Sequence, residues 1–141
     1  VSREALPYLR ASASAAIVNT SSIAAAAGLP ERVLYSASKG AIRSMTLAMA
    51  ADHIREGIRV NCVSPGTANT PWIAGLLSKA ADPEAERAAL NARQPHGRMV
   101  EPEEVAEAIA YLASPRNKST TGICLAVDGG MEGLRLRPIG E

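Results

Sequence analysis

Phenylalanine is absent from this 141-residue chain, and its aromatic side chains are Trp72, Tyr8, Tyr35 and Tyr111 alone. A core without aromatic bulk has to be filled by Ala, Val, Ile and Leu. Helices faced with such small residues pack closely on sheets, as a layered α/β domain requires. Cysteine is scarce too. Cys62 and Cys124 lie far apart with no metal-like spacing, each in an apolar, strand-like run, and both read as small core hydrophobes. Neither sign of charge is in excess, since 15 basic and 14 acidic side chains leave a net +1. That removes the concentrated positive charge on which nucleic-acid and membrane-surface binding depend. Apolar stretches are interrupted by Ser, Arg, Asp or Pro well short of a bilayer span. The opening VSREALPYLR lacks the basic-then-apolar layout of a secretory signal, so a cytoplasmic address is expected. His53 and His96 have no partner at ligand spacing, and no metal site is expected.

What is present is a chain of one-domain length, 47% hydrophobic, with no internal repeat or low-complexity linker. Residues 1–12 read as the end of a helix already under way, with Ala5, Leu9 and Ala13 at helical spacing around Pro7. Ala16–Ser21 reads as a buried parallel strand, and a small-residue loop runs from Ser22 to Arg32. The spacing predicts a helix from about Val33 to Arg55, with Ala37, Ala41, Met45, Ala48 and Ala51 on neighbouring turns and Gly57 as its stop. Ile58–Val63 is a second buried strand, closed by Ser64-Pro65-Gly66. Residues 71–98 are polar and alanine-rich, with short helices near 72–80 and 83–92, and read as a mobile flap rather than core. Glu101-Pro102-Glu103-Glu104 opens a further helix, with proline in the first turn and acids at the positive end of the dipole. Gly122–Val127 is a last strand, and Asp128-Gly129-Gly130 turns the chain away. Strands joined through helices imply a parallel sheet with right-handed crossovers. Three strands are too few to complete a doubly wound sheet, so the unit is expected to be part of one.

The chemistry centres on Tyr35-Ser36-Ala37-Ser38-Lys39. A separation of four places Tyr35 and Lys39 on one helix face, a turn apart. A free phenol, with a pKa of about 10, is a poor base at neutral pH, but an adjacent ammonium favours its ionised form. Lowering a phenol's pKa by about three units takes roughly 4 kcal/mol of differential stabilisation. A tyrosine so placed can pass a proton to or from a substrate oxygen. Ser22, thirteen residues earlier, sits at a strand's carboxyl end, where parallel sheets place their ligand crevice. Its hydroxyl can bond the same oxygen and stabilise developing charge. The alternative is a surface tyrosine and lysine on an exposed helix.

Ile17-Val18-Asn19-Thr20-Ser21-Ser22, Tyr35-x-x-x-Lys39-Gly40-Ala41, Ile58-Arg59-Val60-Asn61 and Pro65-Gly66-x-x-x-Thr70-Pro71 resemble the short-chain dehydrogenase/reductase family. So do Glu103-Glu104-Val105-Ala106, Tyr111-Leu112-Ala113-Ser114, Thr121-Gly122 and Val127-Asp128-Gly129-Gly130. The resemblance covers nearly the whole chain, in order. It implies a Rossmann-like, three-layer α/β fold with a doubly wound parallel sheet of seven strands, of which residues 1–141 would be the carboxyl-terminal, catalytic half. It implies reversible hydride transfer between NAD or NADP and a small-molecule alcohol or ketone, with Ser22, Tyr35 and Lys39 catalytic. Tyr35 and Lys39 would also contact the cofactor, Lys39 through the nicotinamide ribose. Pro65 and Gly66 would shape the loop beside the nicotinamide, the Ala68 backbone would meet its carboxamide, and Thr70 would reach the carboxamide or pyrophosphate. Asn61 would be structural. A homotetramer is implied for the whole enzyme, and the tail Leu134-Arg135-Leu136-Arg137-Pro138 either reaches a neighbouring subunit or frays.

The family's glycine-rich turn, the residue selecting NAD or NADP, the Asn-Ala-Gly element and a fourth catalytic asparagine would all precede Val1. Without them no helix amino terminus receives the pyrophosphate, and the isolated chain is expected not to turn over. Gly66-Thr67-Ala68-Asn69-Thr70-Pro71-Trp72 and Ala92-Arg93-Gln94-Pro95-x-Gly97-Arg98 resemble a subgroup acting on sugars or small hydroxy acids, such as L-fucose dehydrogenases. Arg32 occupies the place of a substrate-binding arginine in a related hydroxy-acid enzyme, and could grip a carboxylate or be a solvated loop residue beside Glu31. Trp72 could stack on a sugar or anchor the flap. Arg93 and Gln94 could enter the substrate pocket or cap the flap helix. Two rivals share these motifs: a 3-oxoacyl-carrier-protein reductase, and a catalytically silent relative or fragment.

Overall fold

In the computed structural model, which describes residues 1–137, three strands lie side by side. They are β1 (Ala15–Thr20), β2 (Ile58–Pro65) and β3 (Cys124–Val127), in that order and all parallel. The register sets Ile17 opposite Val60 and Cys62 opposite Cys124. Alternation along β2 divides its side chains between two helical layers. Ile58 and Val60 are fully buried with Ala15 of β1 and Ala50 of α2 (Val33–His53). Leu6 and Leu9 of α1 (Ser2–Ala11) lean on the same cluster. Arg59 and Asn61 face the other way, toward α5 (Pro102–Ala113) and the loop that leaves it. Helices therefore cover both faces of the sheet, the three-layer α/β arrangement that the sequence implies.

Arg59 carries a charge on a strand that is buried along almost its whole length, and the structure satisfies it with carbonyls. Its guanidinium donates to Leu112 O at 2.7 Å, Ser114 O at 3.0 Å, and Ala113 O and Thr120 O at 3.3 Å. Several of these are end-of-helix carbonyls of α5, which have no intrahelical donor, and the cation also opposes the negative end of the helix dipole. Asn61, fully buried, donates to Thr120 O at 2.9 Å and accepts from the Ile123 N–H at 3.1 Å. The loop before β3 is thereby held against β2.

The helix forecast for 33–55 ends as α2 at His53, followed by a 3-10 turn at Ile54–Glu56 and by Gly57 at φ 74. Its inner face differs from the expected alanine stripe. Ala37, Ala41, Met45, Ala48 and Ala51 are exposed, while Thr46 and Ala50 are buried with Ile42 and Met49 beside them. Thr46 is tolerated inside because its hydroxyl donates to Ile42 O at 2.8 Å and accepts from Asn19 Nδ2 at 2.9 Å. A helix rich in small residues on several faces leaves the choice of buried face to such tethers.

The segment between β2 and α5 is no bare flap. Helices α3 (Pro71–Leu77) and α4 (Pro83–Ala92) bury Ile73, Leu77, Leu90 and Met99 in a core of their own. Each begins with proline behind a capping side chain, Thr70 for α3 and Asp82 for α4, as helix starts favour. Gln94, for which the sequence leaves a place in the pocket or a cap on the flap helix, lies 1% exposed, with its amide spent on the backbone at the end of α4 and beyond. It donates to Leu90 O at 2.8 Å and Arg98 O at 3.2 Å, and accepts from the Thr67 N–H at 3.0 Å. Arg98 meets the Glu104 carboxylate at 2.7 and 2.9 Å, and Glu104 also accepts from the Glu101 N–H at 2.8 Å. No helix among the described residues is long and apolar enough to cross a membrane. Leu134 and Leu136 of the tail are exposed, and Pro138 lies outside the described residues.

Arg59→Ala should lower unfolding free energy by about 2 to 4 kcal/mol, the cost of orphaning buried carbonyls and opening a void, as measured by urea denaturation. Gln94→Leu keeps the bulk but strands the Thr67 N–H; hydrogen exchange at Thr67 should accelerate at least tenfold while exchange in β2 is unchanged. The Arg98 guanidinium, with the Glu101 N–H second, holds the Glu104 carboxyl down to about 2. A carboxylate depressed in the folded state stabilises above its ordinary pKa of about 4.3 and loses that contribution as pH falls toward 2. In an NMR titration the Glu104 carboxyl carbon should therefore have its midpoint near 2, and Arg98→Ala should move it upward.

Candidate active site

Because the strands are parallel, β1, β2 and β3 end on one edge of the sheet, at Thr20, Pro65 and Val127. Ser21 continues past β1, its N–H donating to Val63 O at 2.8 Å and its hydroxyl to Lys39 O at 2.9 Å. The strand end is thus fastened both to β2 and to the second turn of α2. Ser22 follows in extended backbone, 8% exposed, and its hydroxyl oxygen accepts from the Ala24 N–H at 3.2 Å. This caps the 3-10 turn Ile23–Ala25. A serine used as an acceptor keeps its own proton for another partner.

Tyr35 stands in the first turn of α2 with 47% of its surface exposed. Lys39, one turn on, bends back to both neighbours. Its Nζ donates to Thr20 O at 3.0 Å and lies 5.8 Å from the centre of the Tyr35 ring, within cation–π range. The ammonium is therefore held between the carboxyl end of β1 and the tyrosine, at the strand end that Ser22 follows. Of these three positions Ser22 is buried, Lys39 half-buried and Tyr35 exposed. A hollow of about 480 Å³ between β3 and residues 128–134 and a cavity of about 180 Å³ beside α2 are lined by other side chains.

The loop after β2 borders the same edge. The Gly66 N–H donates to Val127 O at 3.0 Å, and a Cβ there would stand 3.1 Å from Asp128 Cα and 3.3 Å from Gln94 Oε1. That close approach explains glycine at this position. Thr67 donates to Gln94, Asn69 to Val100 O at 2.8 Å, and Thr70 to Ala68 O at 2.9 Å. Among the described residues only the Ala68 N–H, of the amides from 66 to 70, has no protein acceptor. Ala68 forms an isolated parallel bridge with Val100, which fixes its other flank. The Thr70 hydroxyl accepts from the Ile73 N–H at 3.5 Å as the α3 cap.

Among the described residues, the side chains of the exposed candidates Arg32, Trp72 and Arg93 make no hydrogen bond to this group, whereas Gln94 bonds the Thr67 N–H. Arg32 is exposed at the start of α2 and donates to Glu31 O at 3.2 Å, Glu31 itself having φ 57. Trp72 is 71% exposed in the first turn of α3, and Arg93 is exposed at the end of α4. Gln94 is buried behind the 66–70 loop rather than beside the tyrosine. Sequence reasoning missed Thr46 and the part played by Arg59. An arginine inside an otherwise apolar strand was the available signal for the latter.

The family described as enoyl-(acyl carrier protein) reductase matches residues 1–132. A cis-4-hydroxycyclohexanecarboxylate dehydrogenase of Sinomonas cyclohexanicum is 48% identical over 91% of this chain and 49% of its own length. An inactive 2-(S)-hydroxypropyl-CoM dehydrogenase 2 of Xanthobacter autotrophicus is 47% identical over 84% and 52%. An L-fucose dehydrogenase of Mus musculus is 44% identical over 91% and 46%. Among solved structures, ligand-free aldohexose dehydrogenase of Thermoplasma acidophilum gives a TM-score of 0.89 at 32% identity, covering 99% of this chain and 56% of that one. ElxO with NADP bound gives 0.83 at 29% identity, over 92% and 51%. The chain spans about half the length of the curated relatives it matches. Motif order, identity and superposition agree, and the chain belongs to the short-chain dehydrogenase/reductase family.

Proposed function

We propose that residues 1–141 are the catalytic half of an NAD(P)-dependent oxidoreductase that moves a hydride between the cofactor and a secondary alcohol or ketone. The observation that carries this is the Lys39 ammonium, held at once by Thr20 O and against the Tyr35 ring. In the oxidative direction the Tyr35 oxygen takes the alcohol proton while the carbon gives up its hydride. In the reductive direction it returns that proton. Ser22 donates its hydroxyl to the reacting oxygen, and Lys39 stabilises the phenolate. The residues present fit the nicotinamide end of such a cofactor. The Ala68 N–H is a donor awaiting an acceptor such as a carboxamide oxygen, and Lys39 retains donor capacity for ribose hydroxyls. Pro65 and Gly66 form the wall, and Thr70 stands at the loop's far end. When bound, the nicotinamide supplies the hydride acceptor or donor. A structural neighbour is described with NADP bound, and the choice between NAD and NADP belongs to a nucleotide-binding half expected before Val1.

The substrate we propose is a sugar or a small hydroxy acid. Relatives named for L-fucose, aldohexose and hydroxycyclohexanecarboxylate support this, since two of these names are sugars and the third is a hydroxy acid. Exposed Arg32, Trp72 and Arg93 are the side chains available to close on it, whereas Gln94 positions the loop from behind. A 3-oxoacyl-carrier-protein reductase is the second reading, favoured by the acyl-carrier-protein description of the matching family. A silent relative is the third, given the protein named inactive at 47% identity; the intact Ser22, Tyr35 and Lys39 speak against it. The exposed Val33, Leu34, Met45 and Leu47 of α2 support burial against another subunit, as in a homotetramer, and the expected address is cytoplasmic.

In the protein that includes the segment preceding Val1, Tyr35→Phe should reduce kcat by about 10² to 10⁴-fold, the usual worth of a general acid–base group. Cofactor affinity, read by nicotinamide fluorescence titration, should change less than about threefold. Retention of full turnover by that variant would remove Tyr35 from the chemistry. Oxidation of L-fucose with NAD against reduction of an acyl ketone with NADPH separates the first two readings.

A further inference from the structure

Cys62 and Cys124 occupy the same rung of the sheet, on β2 and β3. Neighbouring strands run about 4.8 Å apart, and register partners point to one face, so the two sulfurs stand side by side. The shared face is that of α2. Both cysteines line a cavity of about 180 Å³ with Arg43 and Thr46 of α2 and Gly122 from the loop before β3. Arg43 supplies the cavity's one charged group and is itself held by Glu132 at 3.1 Å. Cys62 has no exposed surface, whereas Cys124 is half-buried, which gives the pair a point of entry and a protected partner.

We propose that Cys62 and Cys124 form a vicinal dithiol that captures a thiophilic two-site electrophile, of the class of monosubstituted trivalent arsenicals. The balance is simple. Two S–H bonds and the arsenic–oxygen bonds break, two As–S bonds form, and the oxygen leaves as water with both protons. Arsenic stays trivalent, so no oxidant is consumed. Two features select this ligand class. No third His, Cys, Asp or Glu joins the pair to make a metal-binding group among the described residues, so a tetrahedral ion such as zinc lacks its ligands. Burial, with the neighbouring Cys124 thiol second, pushes the Cys62 thiol up to about 12, so it is held as the neutral thiol at neutral pH. Condensation with an arsenous oxide consumes neutral thiols. A volume of about 180 Å³, against about 30 Å³ for a water molecule's share of the liquid, accommodates the arsenic with a small organic substituent. After Cys124 reacts, Cys62 closes the ring as an intramolecular step at high effective concentration.

The test is intact-protein mass spectrometry of the full chain with one equivalent of phenylarsine oxide. The expected product is one adduct, formed with loss of one water, that survives excess 2-mercaptoethanol and is stripped by 2,3-dimercaptopropanol. Cys124→Ala, at the half-buried position, and Cys62→Ala should each bind at least a hundredfold more weakly and lose the adduct to 2-mercaptoethanol. Native-like circular dichroism of Cys124→Ala makes that comparison valid even if Cys62→Ala fails to fold. Unfolding the wild-type chain in urea should also abolish the resistant adduct, because it separates the rung. A wild-type adduct as labile as that of Cys124→Ala, or one that persists undiminished in urea, would overturn the proposal.

Discussion

A strand buried on both faces that nevertheless carries an arginine and an asparagine is the constraint around which this molecule is organised. β2 has β1 on one edge, β3 on the other and helices above and below, so water cannot solvate Arg59 or Asn61. Uncompensated polar groups in such a place would cost several kcal/mol. Every partner they find is a backbone group between Leu112 and Ile123. The same bonds therefore end α5, shape the following loop and deliver β3 into register. Removing the polar residues from β2 would leave its hydrophobic layers intact and its third strand placed by the β2–β3 ladder and the Thr121 link to Val60 alone.

Once β3 is in place, the sheet's carboxyl edge follows, and with it the position of each candidate group. Gly66 bonds Val127 and packs on Asp128, so the loop after β2 is aligned by the end of β3. Ser21 bonds Val63 and Lys39 O, so the end of β1 is aligned by both β2 and α2. The lysine side chain completes the circuit to Thr20. Ser22, Lys39 and the 66–70 loop are thus brought to one edge largely by bonds to backbone groups, and Tyr35 joins them through its contact with the Lys39 ammonium. Preorganisation of this kind would suit the proposed proton transfer, because the candidate groups need not move to become aligned.

Much of this was legible from residue spacing. The Tyr35–Lys39 separation, Pro102 in the first turn of α5, and Gly57 after α2 are local signals, and the structure contains the elements they forecast. Side-chain partnerships between distant segments were less legible. Gln94 reads from the sequence either as a pocket residue or as a cap of the flap helix, and its amide does cap α4 at Leu90 O while also binding Arg98 O and the Thr67 N–H, partners that spacing does not reveal. The alanine stripe of α2 satisfies helical periodicity but faces outward, because the hydroxyl tether of Thr46 to Asn19 selects a different face. Cys62 and Cys124 are 62 positions apart, and only strand register, which spacing does not encode, makes them neighbours. Periodicity reports which residues can share a face, while burial depends on which polar groups find partners there.

The flap illustrates how those two levels meet. Its own small core of Ile73, Leu77, Leu90 and Met99 gives it internal order without tying it to the main sheet. Its attachment runs through Gln94 to Thr67, through His96 N–H to Gly129 O, and through Arg98 to Glu104. Two of these three links end on loops at the sheet's carboxyl edge, so a displacement of the flap acts on the 66–70 loop and on the β3 exit. The segment is thus ordered by its own apolar core and fastened to the rest of the fold mainly at polar points. Gln94 is the side chain through which the flap meets the 66–70 loop, because the same amide that ends α4 also accepts from the Thr67 N–H.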